Sequence, residues 1–86
     1  MYYVYILTCN DGTFYTGSTS NLIKRIHEHN TLKSGAHYTK IRRPVSLTYH
    51  EIHNTYKEAR SREAEIKRLT RQEKETLIKN TLQKET

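Results

Sequence analysis

One short stretch, Asn10-Asp11-Gly12, restricts the fold of this chain more than any other. It lies between residues 2–8 and residues 13–19, two segments rich in the tyrosine, threonine and β-branched residues that favour β-strands. Asparagine, aspartate and glycine in succession are typical of a tight turn between antiparallel strands. The chain is therefore predicted to begin with a β-hairpin.

The length of the turn decides which side chains of the hairpin share a face. A three-residue loop with Gly12 in the left-handed conformation pairs Leu7 with Tyr15. The same register places Tyr5 opposite Gly17, so that the tyrosine ring can lie across a glycine. A loop of two or four residues would shift the register by one residue and separate Tyr5 from Tyr15. We expect the three-residue loop.

A helix is predicted directly after the hairpin. Ser20 is a residue type that caps helix N-termini, and the hydrophobic period continues to about Asn30. The residues predicted to face inward are Leu22, Ile23 and Ile26. Arg25 and His29, four residues apart, then lie one above the other along the edge of this stripe, between core and solvent.

The remaining segments predict a long loop, one strand and two helices. Residues 31–44 lack a hydrophobic period and end at the only proline, and residues 45–53 alternate apolar with polar side chains as a strand does. Two capping boxes open the last helices: Thr55 with Glu58 for a helix to about Leu69, and Thr70 with Glu73 for a helix to about Leu82. The order β-β-α-β-α-α predicts an α+β class and one domain over residues 1–82, with a frayed tail at residues 83–86.

The positive charge of the chain is concentrated in one region. The sequence has 15 Lys+Arg against 9 Asp+Glu, a formal net charge of +6. Residues 31–50 contain no acid and four basic residues: Lys33, Lys40, Arg42 and Arg43. Such a stretch beside Tyr38 suits a polyanionic partner such as nucleic acid, and it is equally compatible with a solvated basic loop.

Several classes of protein are excluded by composition. A single cysteine, Cys9, permits neither an internal disulfide nor a paired-cysteine zinc site, and the five histidines lack the spacing of zinc ligands. No stretch of 18 apolar residues occurs, and the N-terminus lacks a basic region followed by a long apolar run. We expect a cytoplasmic protein without a membrane-spanning segment.

One carboxylate falls on a helix face that is predicted to be buried. Ala59 and Ile66 face inward, and a step of three or four residues between them reaches Glu63. Burying an unpaired carboxylate costs several kcal/mol, so an arginine, tyrosine hydroxyls or a metal ion must compensate the charge. Two interpretations stay open here, a buried ion pair with Arg25 or Arg62 and a functional site.

An ordered set of these residues resembles the GIY-YIG nuclease family. Tyr3-Val4-Tyr5 and Tyr15-Thr16-Gly17 resemble the two tripeptides that give the family its name. Arg25 with His29 resembles the arginine, and the histidine or tyrosine four residues later, that line the family's site. The run from Ala59 to Glu63 resembles the segment that supplies its metal-binding glutamate. The likeness covers nearly the whole chain and is greatest to short bacterial proteins that are little more than this domain.

The resemblance implies a fold and a chemistry. The family fold is a small three-stranded antiparallel sheet flanked by helices, and its members are metal-dependent endonucleases. Glu63 would then hold one Mg²⁺ or Mn²⁺ ion, and Arg25 would bind the phosphoryl oxygens. Tyr5 would be the general base, its phenol acidified by the metal or a nearby cation, with His29 and Tyr15 orienting the water or assisting proton transfer.

The implied partner is nucleic acid, DNA in the first place, although no residue distinguishes DNA from RNA. The backbone would be held by Lys40, Arg42 and Arg43, with Tyr38 stacking on a base. A domain of this size has little surface for reading a base sequence. Cleavage is therefore expected to be directed by nucleic-acid structure or by a protein partner that supplies target recognition.

Two other functions are compatible with the same residues. A non-catalytic module would bind nucleic acid without turnover, and Ser18 favours it because several active relatives carry a lysine at that position. A protein-interaction adaptor would use the C-terminal helices. Single residues also have structural alternatives: Tyr5 and Tyr15 as core rings, Arg25 as the ion-pair partner of Glu63, and His29 as a helix-surface histidine.

Overall fold

The computed structural model describes the backbone of residues 1–31 and 36–84 and the side chains of those residues as far as Asn80. The elements are, in chain order, β1 (Tyr2–Thr8), β2 (Phe14–Thr19), α1 (Leu22–Thr31), α2 (His37–Lys40), β3 (Ser46–His53), α3 (Tyr56–Lys67) and α4 (Arg71–Lys84). The predicted α+β class is confirmed. None of the described helices has the length and apolar character needed to span a bilayer.

The three strands form one sheet in the order β2-β1-β3, and both pairs are antiparallel. The turn between β1 and β2 has the predicted three-residue form, with Gly12 at φ 85°. The amide of Cys9 donates to the carbonyl of Thr13 over 2.8 Å. Tyr5 lies opposite Gly17 as predicted, so the turn sets the register of the whole hairpin.

The central strand β1 is apolar on both faces because helices cover both sides of the sheet. Val4 and Ile6 point to one face, where they pack with Ala59 and Ile66 of α3. Leu7 points to the other face, in a second cluster whose members are Cys9, Val45, Tyr15, Ile26 and Tyr38. The core is thus split by the sheet into two layers, and α1 and α2 lie on the side opposite α3.

Helix α1 begins one residue later than predicted. Its N-cap is Asn21 rather than Ser20, because the Asn21 Oδ1 accepts the amide of Lys24 over 3.1 Å. The prediction that Ile23 faces inward is wrong, since this side chain is 84% exposed. Ile26 and His29 define the inward face, and Ile23 lies about a quarter of a turn away from it.

The prediction of one long loop over residues 31–44 is wrong. This segment contains the single helical turn α2. One turn is too short to show a hydrophobic period in sequence. Residues 32–35, among them Lys33, lie outside the described residues, as do residues 85–86.

Both predicted capping boxes are present. The Thr55 hydroxyl accepts the amide of Glu58 over 3.1 Å at the start of α3. Thr70 and Glu73 cap each other's amides at the start of α4. Helix α3 ends at Lys67, two residues before its predicted end, and α4 continues two residues beyond the predicted end at Leu82. Both helix starts are therefore set by local side-chain chemistry.

Candidate active site

The two tyrosine tripeptides meet because of the close approach between Tyr5 and Gly17. A Cβ atom on Gly17 would lie 2.5 Å from the Tyr5 Oη and 2.7 Å from its Cζ, so only glycine leaves room for the ring. Tyr5 is 1% exposed. Tyr15, on the same face of β2, meets the imidazole of His29 edge-on, with ring centroids 5.0 Å apart. The register predicted from the turn therefore assembles one side of the site.

Helix α1 brings His29 against the phenol of Tyr5. The His29 Nε2 is 2.8 Å from the Tyr5 Oη, and the Nδ1 is 2.8 Å from the Oγ1 of Thr39. Burial and the positive charges of Arg25 and Arg43 lower the pKa of His29 to about 4. The imidazole is therefore neutral at neutral pH, and each ring nitrogen is engaged by one hydroxyl.

The burial of His29 differs from the prediction. A position at the edge of the apolar stripe was expected to be partly exposed. The side chain of His29 is instead 0% exposed. The alternative of a helix-surface histidine is also wrong. The physical reason is α2, which the sequence pattern does not reveal and which places Thr39 directly against the ring.

Arg25 lies one helical turn before His29, at the border of the site. Its side chain is 27% exposed, and its Nη1 donates to the Glu28 Oε1 over 3.2 Å. Burial alone would lower the pKa of Arg25, but hydrogen bonds with Glu28 and with the Tyr5 hydroxyl outweigh it and raise the pKa. Arg25 thus lies between the phenol of Tyr5 and the solvent side of the site, and its contact with phosphoryl oxygens stays a prediction.

The neighbouring residues do not acidify the phenol of Tyr5, so acidification by the metal ion stays a prediction. Burial and the neighbouring Tyr15 raise the pKa of Tyr5 to about 12, and Arg25 only partly offsets this. The charge of Glu63 also raises the pKa, which places that carboxylate within electrostatic reach of the phenol. Tyr5 is therefore protonated at rest, and it can act as a base only if its own proton leaves; the His29 Nε2 at 2.8 Å is an acceptor for it.

Glu63 approaches from α3, on the other side of the edge strand β2. It is 8% exposed, which confirms its predicted place on the buried face. Its Oε1 accepts the Ser18 hydroxyl over 2.5 Å, and its Oε2 lies 2.6 Å from the Nζ of Lys67. Burial would raise the pKa of Glu63, but the contacts with Lys67 and Ser18 outweigh it and lower the pKa. The carboxylate is ionised.

The ion-pair partners proposed for Glu63 from sequence are both wrong. Arg62 donates instead to Glu51 of β3 over 2.8 Å, and Arg25 forms an ion pair with Glu28 of its own helix over 3.2 Å. Position 62 lies about 100° around the helix from Glu63, so its side chain points to β3 rather than along the face of Glu63. The carboxylate is held instead by the Ser18 hydroxyl and by Lys67 one turn later, with the Arg60 Nε at 4.0 Å.

The surroundings of Glu63 fit a single divalent cation. The described residues contain no group of three or more histidine, cysteine, aspartate or glutamate side chains that could enclose a metal. Mg²⁺ is commonly held by one or two carboxylates, with waters and phosphate oxygens completing its shell. Ser18 and Arg60, both in contact with Glu63, also line a cavity of about 170 Å³. Lys67 is 53% exposed at the side chain, so its ammonium can leave the carboxylate.

Two members of the predicted nucleic-acid cluster hold the hairpin to α2. The Arg42 Nε donates to the Asp11 Oδ2 over 3.0 Å, and its guanidinium lies 3.8 Å above the ring centroid of Tyr38. The ring of Tyr38 also packs beside Tyr15, at 5.9 Å. Both side chains therefore have structural contacts that stacking on a base would have to share or displace.

Arg43 closes the C-terminus of α1. Its guanidinium donates to the carbonyl of His29 over 2.6 Å and to that of Glu28 over 3.2 Å, two carbonyls of the last turn. Lys40, at the end of α2, has no ion-pair partner within residues 1–31 and 36–80. The predicted basic cluster is thus mostly engaged in the fold, with Lys40 as its most available cation.

Sequence reasoning missed two residues that the structure places in the site. Thr39 belongs to an unpredicted helical turn, and nothing in the sequence distinguishes it from a loop threonine. Lys67 follows Glu63 by four residues, a spacing that favours ion pairs on a helix, so its role was open to prediction. Ser18 was noted as the loss of a cation, and the structure shows it orienting the carboxylate instead.

Comparison with known proteins shows the family of the chain. The family model described as the GIY-YIG catalytic domain matches residues 1–84. The chain belongs to the GIY-YIG family. It therefore has a nuclease-type fold, and divalent metal ions are typical of GIY-YIG nucleases.

Several similar proteins match nearly the whole of this chain. A UPF0213 protein of Syntrophus aciditrophicus is 53% identical over 77 residues, which cover 90% of this chain and 88% of that protein. A UPF0213 protein of Staphylococcus aureus is 50% identical over 78 residues, 91% and 94% of the two chains. The solution structure of protein EF2693 from E. faecalis is 43% identical, with a TM-score of 0.64, and covers 93% of this chain and 84% of that one. The solution structure of the UPF0213 protein BH0048 from Bacillus halodurans is 41% identical, with a TM-score of 0.59 and coverage of 92% and 84%.

Proposed function

We propose that this protein is a metal-dependent endonuclease that hydrolyses phosphodiester bonds in nucleic acid, with DNA as the first candidate substrate. The observation that supports the proposal is that three kinds of group lie around the edge strand β2. They are a guanidinium, a phenol hydrogen-bonded to an imidazole, and an ionised carboxylate. The residues are Arg25, Tyr5 with His29, and Glu63. Simple binding of phosphate would not need a carboxylate at this place, because its charge repels the ligand.

The proton path runs through Tyr5 and His29. As water attacks phosphorus, its proton passes to the Tyr5 oxygen, and the phenol proton passes to the His29 Nε2 at 2.8 Å. The raised pKa of the phenol and the lowered pKa of the imidazole make a separated phenolate–imidazolium pair costly. The two proton transfers therefore occur together with the attack of water.

The remaining residues stabilise charge. The Arg25 guanidinium donates to the non-bridging phosphoryl oxygens, where negative charge develops in the transition state. Gly17 leaves the space that the phenol of Tyr5 occupies. Glu63 would hold a Mg²⁺ or Mn²⁺ ion, which when bound supplies Lewis-acid stabilisation of the phosphoryl group. Lys67, which contacts the carboxylate in this structure, would have to leave it for this.

The surface around the site supports recognition of structure rather than of base sequence. Lys40 is the member of the basic cluster best placed for a phosphate contact, since Arg42 and Arg43 are bound to Asp11 and to carbonyls of α1. Tyr38 is covered on one face by Arg42, so stacking on a base requires that guanidinium to move. We infer that a bend, end or single-stranded segment directs cleavage, with a protein partner as an additional source of target recognition.

A non-catalytic nucleic-acid-binding module is the second candidate. It is favoured by the short contact between Lys67 and Glu63, which neutralises the carboxylate in the absence of substrate. Such a module would bind nucleic acid with a strong dependence on salt concentration and without turnover.

Cleavage of a labelled panel separates these functions. The panel contains single strands, duplexes, flaps and junctions of DNA and RNA, incubated with Mg²⁺, Mn²⁺ or EDTA. Glu63→Gln is compared with Glu58→Gln, which changes an exposed carboxylate of the same helix. We expect metal-dependent cutting that Glu63→Gln reduces by at least about 10²-fold and Glu58→Gln leaves intact. Salt-sensitive binding without cutting, equal in both variants, would identify the binding module.

A further inference from the structure

The hydrogen bonds of the site continue beyond His29 to a residue with no assigned role. Thr39 of α2 is 0% exposed, and its Oγ1 lies 2.8 Å from the His29 Nδ1. The same oxygen is 2.9 Å from the carbonyl oxygen of Ala36. Thr39 therefore connects the imidazole to a backbone acceptor inside the protein.

The carbonyl of Ala36 determines the direction of these bonds at one end. A carbonyl oxygen can only accept, so the single hydroxyl proton of Thr39 must lie between Thr39 and Ala36. The Thr39 Oγ1 then has only lone pairs to offer to His29. The His29 Nδ1 must carry a proton and donate it to Thr39.

At the other end of the ring, the Tyr5 hydroxyl lies 2.8 Å from the His29 Nε2. A phenol can donate or accept, so its proton lies on this bond when the Nε2 carries none. The opposite direction would leave two oxygens, those of Thr39 and Ala36, facing each other at 2.9 Å without a proton between them.

We propose that Thr39 is a positioning residue that holds His29 in the tautomer protonated at Nδ1, with the Nε2 lone pair directed at the Tyr5 phenol. The opposite tautomer would donate from Nε2 to Tyr5 and could not take its proton. The inference rests on the proposed function for its catalytic meaning, because His29 receives the phenol proton in that reaction. The hydrogen-bond direction itself is a property of the free protein.

The charged and titratable groups around the imidazole are consistent with this role. Those that face it are Tyr5 and Tyr15 from the sheet, Arg25 and Glu28 from α1, and Arg43 from the segment before β3. The two arginines disfavour a second proton on the ring. The imidazole therefore stays neutral, and its tautomer is set by the hydroxyls rather than by a charge.

Nitrogen NMR of the free protein tests the tautomer without any substrate. In protein with ¹⁵N-labelled histidine at pH 7, long-range proton–nitrogen correlation distinguishes the protonated from the unprotonated ring nitrogen, and His29→Gln assigns the signals. We expect His29 protonated at Nδ1 in the wild type and in Thr39→Ser. We expect the near-isosteric Thr39→Val to lose this preference. Protonation at Nε2 in the wild type overturns the proposal even if no variant folds, and so does an unchanged tautomer in a folded Thr39→Val.

Cleavage kinetics then connect the tautomer to the reaction. Thr39→Val is expected to lower kcat by about tenfold or more, within the roughly 10²–10⁴-fold that a general acid–base group contributes, and to leave KM unchanged. Thr39→Ser is expected to restore kcat, and equal rates for both variants overturn the positioning role. An absence of cleavage in wild type together with the expected tautomer would instead count against the nuclease, so the two failures are distinguishable.

Discussion

Replacing Gly17 with alanine is expected to displace the ring of Tyr5 and with it the contact to His29. The added Cβ would lie 2.5, 2.7 and 2.9 Å from the Oη, Cζ and Cε2 atoms of Tyr5. Tyr5 is 1% exposed, and its hydroxyl is bonded to the His29 Nε2 at 2.8 Å, so the ring has no free space to enter. Restoring ordinary contact distances requires a shift of about 1 Å, which breaks that hydrogen bond.

The cost follows from two effects. Overpacking a well-packed core costs about 1–3 kcal/mol, and the lost hydrogen bond adds about 1 kcal/mol. We therefore expect the free energy of unfolding of Gly17→Ala to fall by about 2–4 kcal/mol, a large fraction of the roughly 5–15 kcal/mol of a small domain. For a domain of this size each kcal/mol lowers Tm by about 4–8 °C.

Urea unfolding followed by circular dichroism measures this cost in two backgrounds. In Tyr5→Phe the oxygen nearest the new methyl group is absent and the bond to His29 is already lost, so Gly17→Ala should cost at least about 1 kcal/mol less. Gly12→Ala is the matched control. It meets no atom within 4 Å but has φ +85°, so it should cost about 1–2 kcal/mol through the backbone alone and leave cleavage intact. A Gly17→Ala protein as stable as wild type, or an equal cost in both backgrounds, would refute the reasoning.

Two further predictions concern pH and the basic cluster. The pKa of His29 is about 4 in the folded protein and 6.5 in its ordinary, unfolded environment. As pH falls, the unfolded chain therefore binds a proton before the folded protein does. The free energy of unfolding should decline by up to about 3 kcal/mol between pH 6.5 and pH 4. Urea titrations across this range check it, and the same decline in His29→Gln would contradict it. Lys40→Ala should reduce the slope of the logarithm of nucleic-acid affinity against the logarithm of salt concentration by about 0.7–0.9. It should change the free energy of unfolding by less than about 0.5 kcal/mol. Arg43→Ala should instead cost about 1.5–3 kcal/mol, because it removes the donor to two carbonyls of α1; equal stability of both variants would show that Arg43 is not structural.

Much of the fold could be predicted because its signals are local. The turn ending in Gly12 determines the hairpin register, and Thr55 and Thr70 cap their helices through side chains three residues or fewer away. Local chemistry does not depend on the rest of the chain, so these elements were predictable to within one or two residues. Glu63 was likewise predictable as a buried carboxylate from helical period alone.

The errors concern contacts between distant segments. The burial of His29 depends on Thr39 of α2, ten residues away across a turn that shows no period, and the partners of Glu63 depend on which face of α3 meets β2. Ile23 was misplaced because helical period alone does not show where the inward face of α1 is centred.

By itself, the sequence determined the hairpin, the helix starts and the set of residues that we propose to bind phosphate, move a proton or hold a cation. Only the tertiary structure decided that His29 is neutral and buried between two hydroxyls, that Ser18 and Lys67 hold Glu63, and that Arg43 closes α1. The physical reason is that protonation state and hydrogen-bond direction depend on burial and on donors brought together from separate segments. Those quantities exist only once the chain has packed.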